Sequence, residues 1–72
     1  MGMSMWAVFA REQRESAHKQ YMAAPEYPAL EREANEKGFR KATLSEIHAS
    51  AERSRNAPEL YSWRGGLWTP IN

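Results

Sequence analysis

Along the first third of the chain, Met3, Trp6, Ala10, Gln13, Ala17 and Tyr21 recur at steps of three and four. That spacing draws one weakly apolar stripe down a helix. It predicts a first helix from about Ser4 to Ala23, with Glu15 and Lys19 paired at i,i+4 on its solvated side. Pro25 and Pro28 then bracket Glu26-Tyr27, and Pro28 suits the first turn of a second helix. This helix, roughly Ala29 to Lys37, offers Ala29, Leu30 and Ala34 to a core, and Gly38 is its stop signal.

Thr43-Leu44-Ser45-Glu46 has the capping-box pattern, with Thr43 as the cap and Glu46 reaching back from three residues on. It opens a third helix carrying Leu44, Ile47, His48 and Ala51 on one face and ending near Arg55. Asn56-Ala57-Pro58-Glu59 repeats the cap logic and predicts a short fourth helix through Trp63. Beyond it, Gly65-Gly66 and Pro70 disfavour further helix, leaving Leu67, Trp68 and Ile71 on an irregular tail. The expectation is all-α: a small bundle of three helices plus a short fourth over residues 1–66, with an irregular C-terminal tail at 67–72.

Composition supports helix and limits the core. One valine, two isoleucines and two threonines are few strand formers beside abundant alanine, glutamate, arginine and lysine. Apolar residues reach 42%, but eleven of them are alanine, and Leu, Ile, Val and Phe together number nine. At 72 residues a single core is only just sufficient. Small domains are commonly reinforced by disulfides, metal or a partner, and the absence of cysteine removes the first together with thiolate metal sites. Another protein or self-association is the support that remains. With a net charge of +1 the chain does not resemble a self-repelling disordered segment.

No apolar run approaches the roughly 20 residues of a membrane span. The start lacks a basic leader, Glu12 and Glu15 interrupt Arg11 and Arg14 where a transit peptide would be free of acid, and Trp6 stands where a myristoylated Gly2 needs Ser or Thr. A soluble, intracellular protein is expected.

Chemistry is sparse. There is no aspartate, and the two histidines lie 30 residues apart. His48 and Glu52 at i,i+4 are the nearest approach to a ligand pair, and two ligands do not make a metal site. No nucleophile, base and orienter are arranged locally, and Gly65-Gly66 lacks the flanking pattern of a phosphate loop. The expectation is no catalysis, no cofactor and no metal. Lys37, Arg40 and Lys41 form the densest positive cluster and read as a solvated helix end.

Two binding readings follow. In the first, a helical scaffold presents Tyr61, Leu67, Trp68 and Ile71 to a groove on another protein, because aromatic anchors bury much area at little entropic cost; the alternative is that the tail folds back and Trp68 closes the chain's own small core. In the second, Thr43-Leu44-Ser45-Glu46-Ile47, Ala51, Ser54-Arg55-Asn56 and Leu60-Tyr61-Ser62-Trp63 resemble a helix-turn-helix. That resemblance implies a nucleic-acid contact through Arg53, Arg55 and Arg64. It departs from the motif at the turn, where glycine is usual and Glu52 stands, and residues 42–72 carry three arginines against three glutamates.

Overall fold

The computed structural model describes residues 4–72; Gly2 and Met3, with which the myristoylation test and the expected stripe begin, lie outside the described residues. The chain forms α1 (Met5–Ala23), α2 (Tyr27–Glu36), β1 (Phe39–Lys41), α3 (Leu44–Ala51), β2 (Tyr61–Trp63) and β3 (Gly66–Pro70). The strands make one antiparallel sheet in the order β1-β3-β2. The all-α expectation is therefore overturned: the fold is three helices on a small sheet.

The helical signals act where the residues place them. Ser4 caps α1, its hydroxyl accepting from the Ala7 N–H at 3.2 Å. Ala24, preceding Pro25, is extended at ψ 142°, as steric conflict with the proline ring requires, and α1 stops there. Pro28 sits in the first turn of α2, and Gly38 at φ 89° follows its C-terminal end. The capping box is complete: Glu46 N–H donates to Thr43 Oγ1 at 3.1 Å, and Thr43 N–H to Glu46 Oε1 at 2.9 Å. α3 ends at Ala51, four residues short of Arg55, and Arg53 turns the chain at φ 56°.

The C-terminal third departs from the expected helix and tail. Residues 57–60 are non-helical, Tyr61–Trp63 is a strand, and the tail is the central strand of the sheet. The break at Gly65-Gly66 is a hairpin turn. Arg64 and Gly65 have φ 52° and 79°, the two positive values a type I′ turn demands, and Trp63 pairs with Gly66 across it. Tyr61, Trp63, Gly66, Trp68 and Pro70 share one sheet face with Phe39 and Lys41 of β1, as the register shows. Alternating aromatics at half-buried positions are strand chemistry, and they override the helix-cap reading of Asn56–Glu59.

Trp68, 1% exposed, is the centre of the core. The Tyr27 ring stacks on it at 6.3 Å and 10°, and Tyr21 and Trp63 meet it edge-on at 6.4 and 5.6 Å. Its indole N–H donates to the Trp63 carbonyl at 3.0 Å, so the polar atom of the largest buried side chain is satisfied. Ala34 and Leu30 of α2 pack against the same group. Thr69, on the reverse face, is buried and donates its hydroxyl to the Glu59 carbonyl at 2.9 Å, tying the chain segment before β2 to the sheet. No helix of the described residues is long and apolar enough to cross a membrane.

Candidate protein-binding surfaces

α1 has two working faces. Arg14, His18 and Tyr21, at steps of four and three, turn inward and are half-buried. Met5 and Arg14 are nine positions apart, which at about 3.6 residues per turn puts them on opposite sides of the helix. The outward side opens with Met5, Val8 and Phe9, which are 87, 43 and 53% exposed, and Trp6, on the flank one turn before half-buried Ala10, is 81% exposed. Trp6, expected in the core, is thus among the most exposed apolar side chains of the described residues. The expected stripe meets the inward side at half-buried Ala10 and Tyr21, but Arg14 and His18 take the places between them, and Trp6, one turn before Ala10, is left uncovered by the rest of the chain.

The inward side of α1 is held by charge. Arg11 Nε and Nη2 both donate to Glu52 at 2.6 Å, and Arg14 Nη2 adds a third bond at 2.9 Å. The Arg11 hydrogen bonds hold the Glu52 carboxyl down at about 2. Arg14 Nε also donates to His48 Nδ1 at 3.0 Å. The His48–Glu52 pair that the spacing placed on one face is thus occupied by arginines. A cation there would have to displace them. On the sheet side, Arg40 grips Glu46 with two bonds of 2.9 Å, and this holds the Glu46 carboxyl at about 2.

The residues expected to meet a partner are dispersed by the hairpin. Trp68 is in the core, and Leu67 is half-buried with its carbonyl taken by the Ala42 N–H and the Lys41 ammonium at 3.1 Å. Tyr61 and Ile71 are 42 and 49% exposed. The Tyr61 hydroxyl donates to Glu59 at 2.7 Å, and the Ile71 N–H bonds the Gly38 carbonyl. For the nucleic-acid reading, Arg53, Arg55 and Arg64 are exposed. However, α3 is followed by a loop and a strand where a recognition helix would have to stand, so residues 43–64 do not form a helix-turn-helix.

A second apolar feature lies between α2 and β2. Ala34 and Lys37 of α2 face Phe39, Tyr61, Trp63 and Trp68 across a cleft of about 190 Å³. Phe39 and Tyr61 meet edge-on at 5.4 Å. The Lys37 ammonium and the Arg64 guanidinium lie over the Trp63 ring, 5.5 and 5.6 Å from its centre. Phe39, Met5, Val8 and Phe9 were not singled out by the sequence reading. Met5 and Phe9 are one helical turn apart beside the expected stripe, and that second apolar row was the available signal.

Comparison with known proteins identifies no relative: no family model, no curated protein and no solved structure matches the chain.

Proposed function

We propose that this chain is a protein-binding module that inserts the outer face of the first helix into an apolar groove on its partner. The observation that carries this reading is the exposure of Met5, Val8 and Phe9 on the side of α1 away from its own core, with Trp6 exposed on the adjoining flank of the same first turn. An amphipathic helix laid into a groove is read at i, i+3 and i+4, and Met5, Val8 and Phe9 have that spacing, with Trp6 beside them. Clustered exposed apolar side chains of this size mark interaction surfaces, whereas single ones need no explanation. Trp, Phe and Met are also the residue types enriched at the centres of interfaces.

Electrostatics favour a protein over a lipid surface. Helices that lie on anionic membranes flank their apolar side with free lysine and arginine. Here Arg11 and Arg14 are held by Glu52, while Glu12 and Glu15 lie in the two turns that follow Phe9. The net charge of +1 likewise gives little attraction to phosphate. The role is that of a regulator, inhibitor or accessory subunit, acting by occupation of a groove rather than by chemistry.

A photo-cross-linking residue in place of Trp6, with the same residue in place of Lys19 as control, tests the reading in cells that make the protein. The expected result is a discrete adduct of a second protein from position 6 and none from position 19. Equal labelling from both positions would overturn it. An adduct of two copies of this chain would assign the face to self-association instead.

A further inference from the structure

The sheet leaves β2 at its edge, and the hairpin register fixes which backbone groups point outward. Trp63–Gly66 closes a two-residue turn and is therefore a hydrogen-bonded pair; Ser62–Leu67 is the next, non-hydrogen-bonded pair. Tyr61 and Trp63 thus spend their main-chain groups on β3, and exposed Ser62 turns its N–H and C=O to the open edge. There they meet no backbone partner among the described residues. Unpaired edge groups are a template for a further strand.

The same register says where that strand's side chains would go. A residue directly across from Ser62 shares the Ser62 face, so its two neighbours turn to the face of Tyr61 and Trp63. That face carries the aromatic cleft under α2. The cleft is bordered by Ser62 at this edge and by Phe39 on the far side of Tyr61, and it has the size and lining for one bulky apolar side chain. The position beside Trp63 meets Lys37 and Arg64. Arg64 has no carboxylate partner among the described residues, and Lys37 has only an exposed contact to Glu33 at 3.4 Å, of the kind that contributes little. Glu59, the acid next to Tyr61, is engaged by the Tyr61 hydroxyl. A cationic ligand, the usual guest of an aromatic cluster, would meet two cations already over the Trp63 ring. A carboxylate would complement them.

From this geometry we propose a second binding site, separate from the outer face of α1: the edge of β2 and the cleft beneath α2 accept an extended peptide segment of a partner. That segment joins the sheet as a fourth strand, with a bulky apolar residue in the cleft and a glutamate or aspartate two positions away against Lys37 and Arg64. Main-chain pairing supplies affinity and the two side-chain positions supply selection, as in other strand-addition sites.

The test titrates the capped peptide acetyl-Thr-Glu-Thr-Phe-Thr-Glu-Thr-amide into the isotopically labelled full chain at low salt. Its palindromic pattern presents the carboxylate whichever way the strand runs. Saturable shifts are expected at the Ser62 amide and the Trp63 indole, with Met5 to Phe9 unmoved. The peptide with lysine for both glutamates should bind about tenfold more weakly, the size expected when exposed pairs become like-charge contacts. Doubly substituted Lys37→Glu, Arg64→Glu protein, both positions being exposed, should reverse that preference. Absence of shifts at Ser62 at millimolar peptide, equal binding of the two peptides, or an unreversed preference in the charge-swapped protein would each overturn the site.

Discussion

A methyl group added at Gly66 would fall 2.6 Å from the ring carbons of Tyr21. The ring cannot simply swing aside, because its hydroxyl donates to the Arg64 carbonyl at 3.0 Å and its edges meet Tyr27 and Trp68. The hairpin is thus locked onto α1 by the absence of one side chain. Gly66→Ala should cost about 1–3 kcal/mol by overpacking. Gly38→Ala, in open space but at φ 89°, should cost about 1–2 kcal/mol through backbone strain alone. Denaturant unfolding with a Tyr21→Leu background separates the causes: Gly66→Ala should be markedly non-additive with Tyr21→Leu, and Gly38→Ala additive.

Trp68→Ala should strongly destabilise the chain. Removing a buried aromatic costs about 3–5 kcal/mol, a large part of the roughly 4–11 kcal/mol that 0.05–0.15 kcal/mol per residue gives a 72-residue domain. Trp6→Ala, at a position 81% exposed, should stay within about 0.5 kcal/mol of the parent. Thermal melts followed by circular dichroism distinguish the two tryptophans directly.

The contrast shows how much of the molecule was legible in its residues. Helix starts were readable because capping is local: Thr43 with Glu46, and Pro28 in the first turn of α2, act within one helical turn. The sheet was not, because each strand depends on a distant partner. Phe39-Arg40-Lys41 reads as a charged helix end until β3 lies beside it, 27 or more positions away. Gly65-Gly66 was correctly taken as a break, but its meaning as a hairpin rests on Arg64 adopting positive φ, which sequence does not announce for arginine. Of the expected contact residues, Trp68 is covered by the chain's own tyrosines. The exposed row at Met5 to Phe9 was hidden because periodicity gives a helix phase without saying which side the rest of the chain will cover.

Stability should fall in acid between about pH 5 and 2. Glu52 and Glu46 are both held near 2 when folded, below the ordinary 4.5, so the folded state favours their charged forms. Their contribution is present above the unfolded value and disappears as pH falls through the folded one. Glu52→Gln should lower the melting temperature at pH 7 and flatten its decline below pH 5. Added salt should shrink the difference, because the Arg11 pair is exposed. An unchanged pH slope in Glu52→Gln would remove the pair from the account.

Loss of the Thr43 hydroxyl should cost about 1 kcal/mol, the usual value for an N-cap. Thr43→Ala breaks its bond to the Glu46 N–H but leaves Glu46 gripped by Arg40, so α3 should fray without the fold being lost. Faster amide exchange at Ser45 and Glu46, with the Trp68 indole still protected, is the expected signature.

The most direct measurement is photo-oxidation of the three tryptophans, read residue by residue in the purified protein and in cells that make it. In the purified protein the rates should run Trp6, then Trp63, then Trp68, following their exposure. In the cell, Trp6 should fall toward the level of Trp68 as a partner covers the outer face of α1, with Trp68 unchanged. Trp68 oxidised as fast as Trp6 in the purified protein would contradict the hairpin, and Trp6 equally reactive in both settings would contradict the binding face.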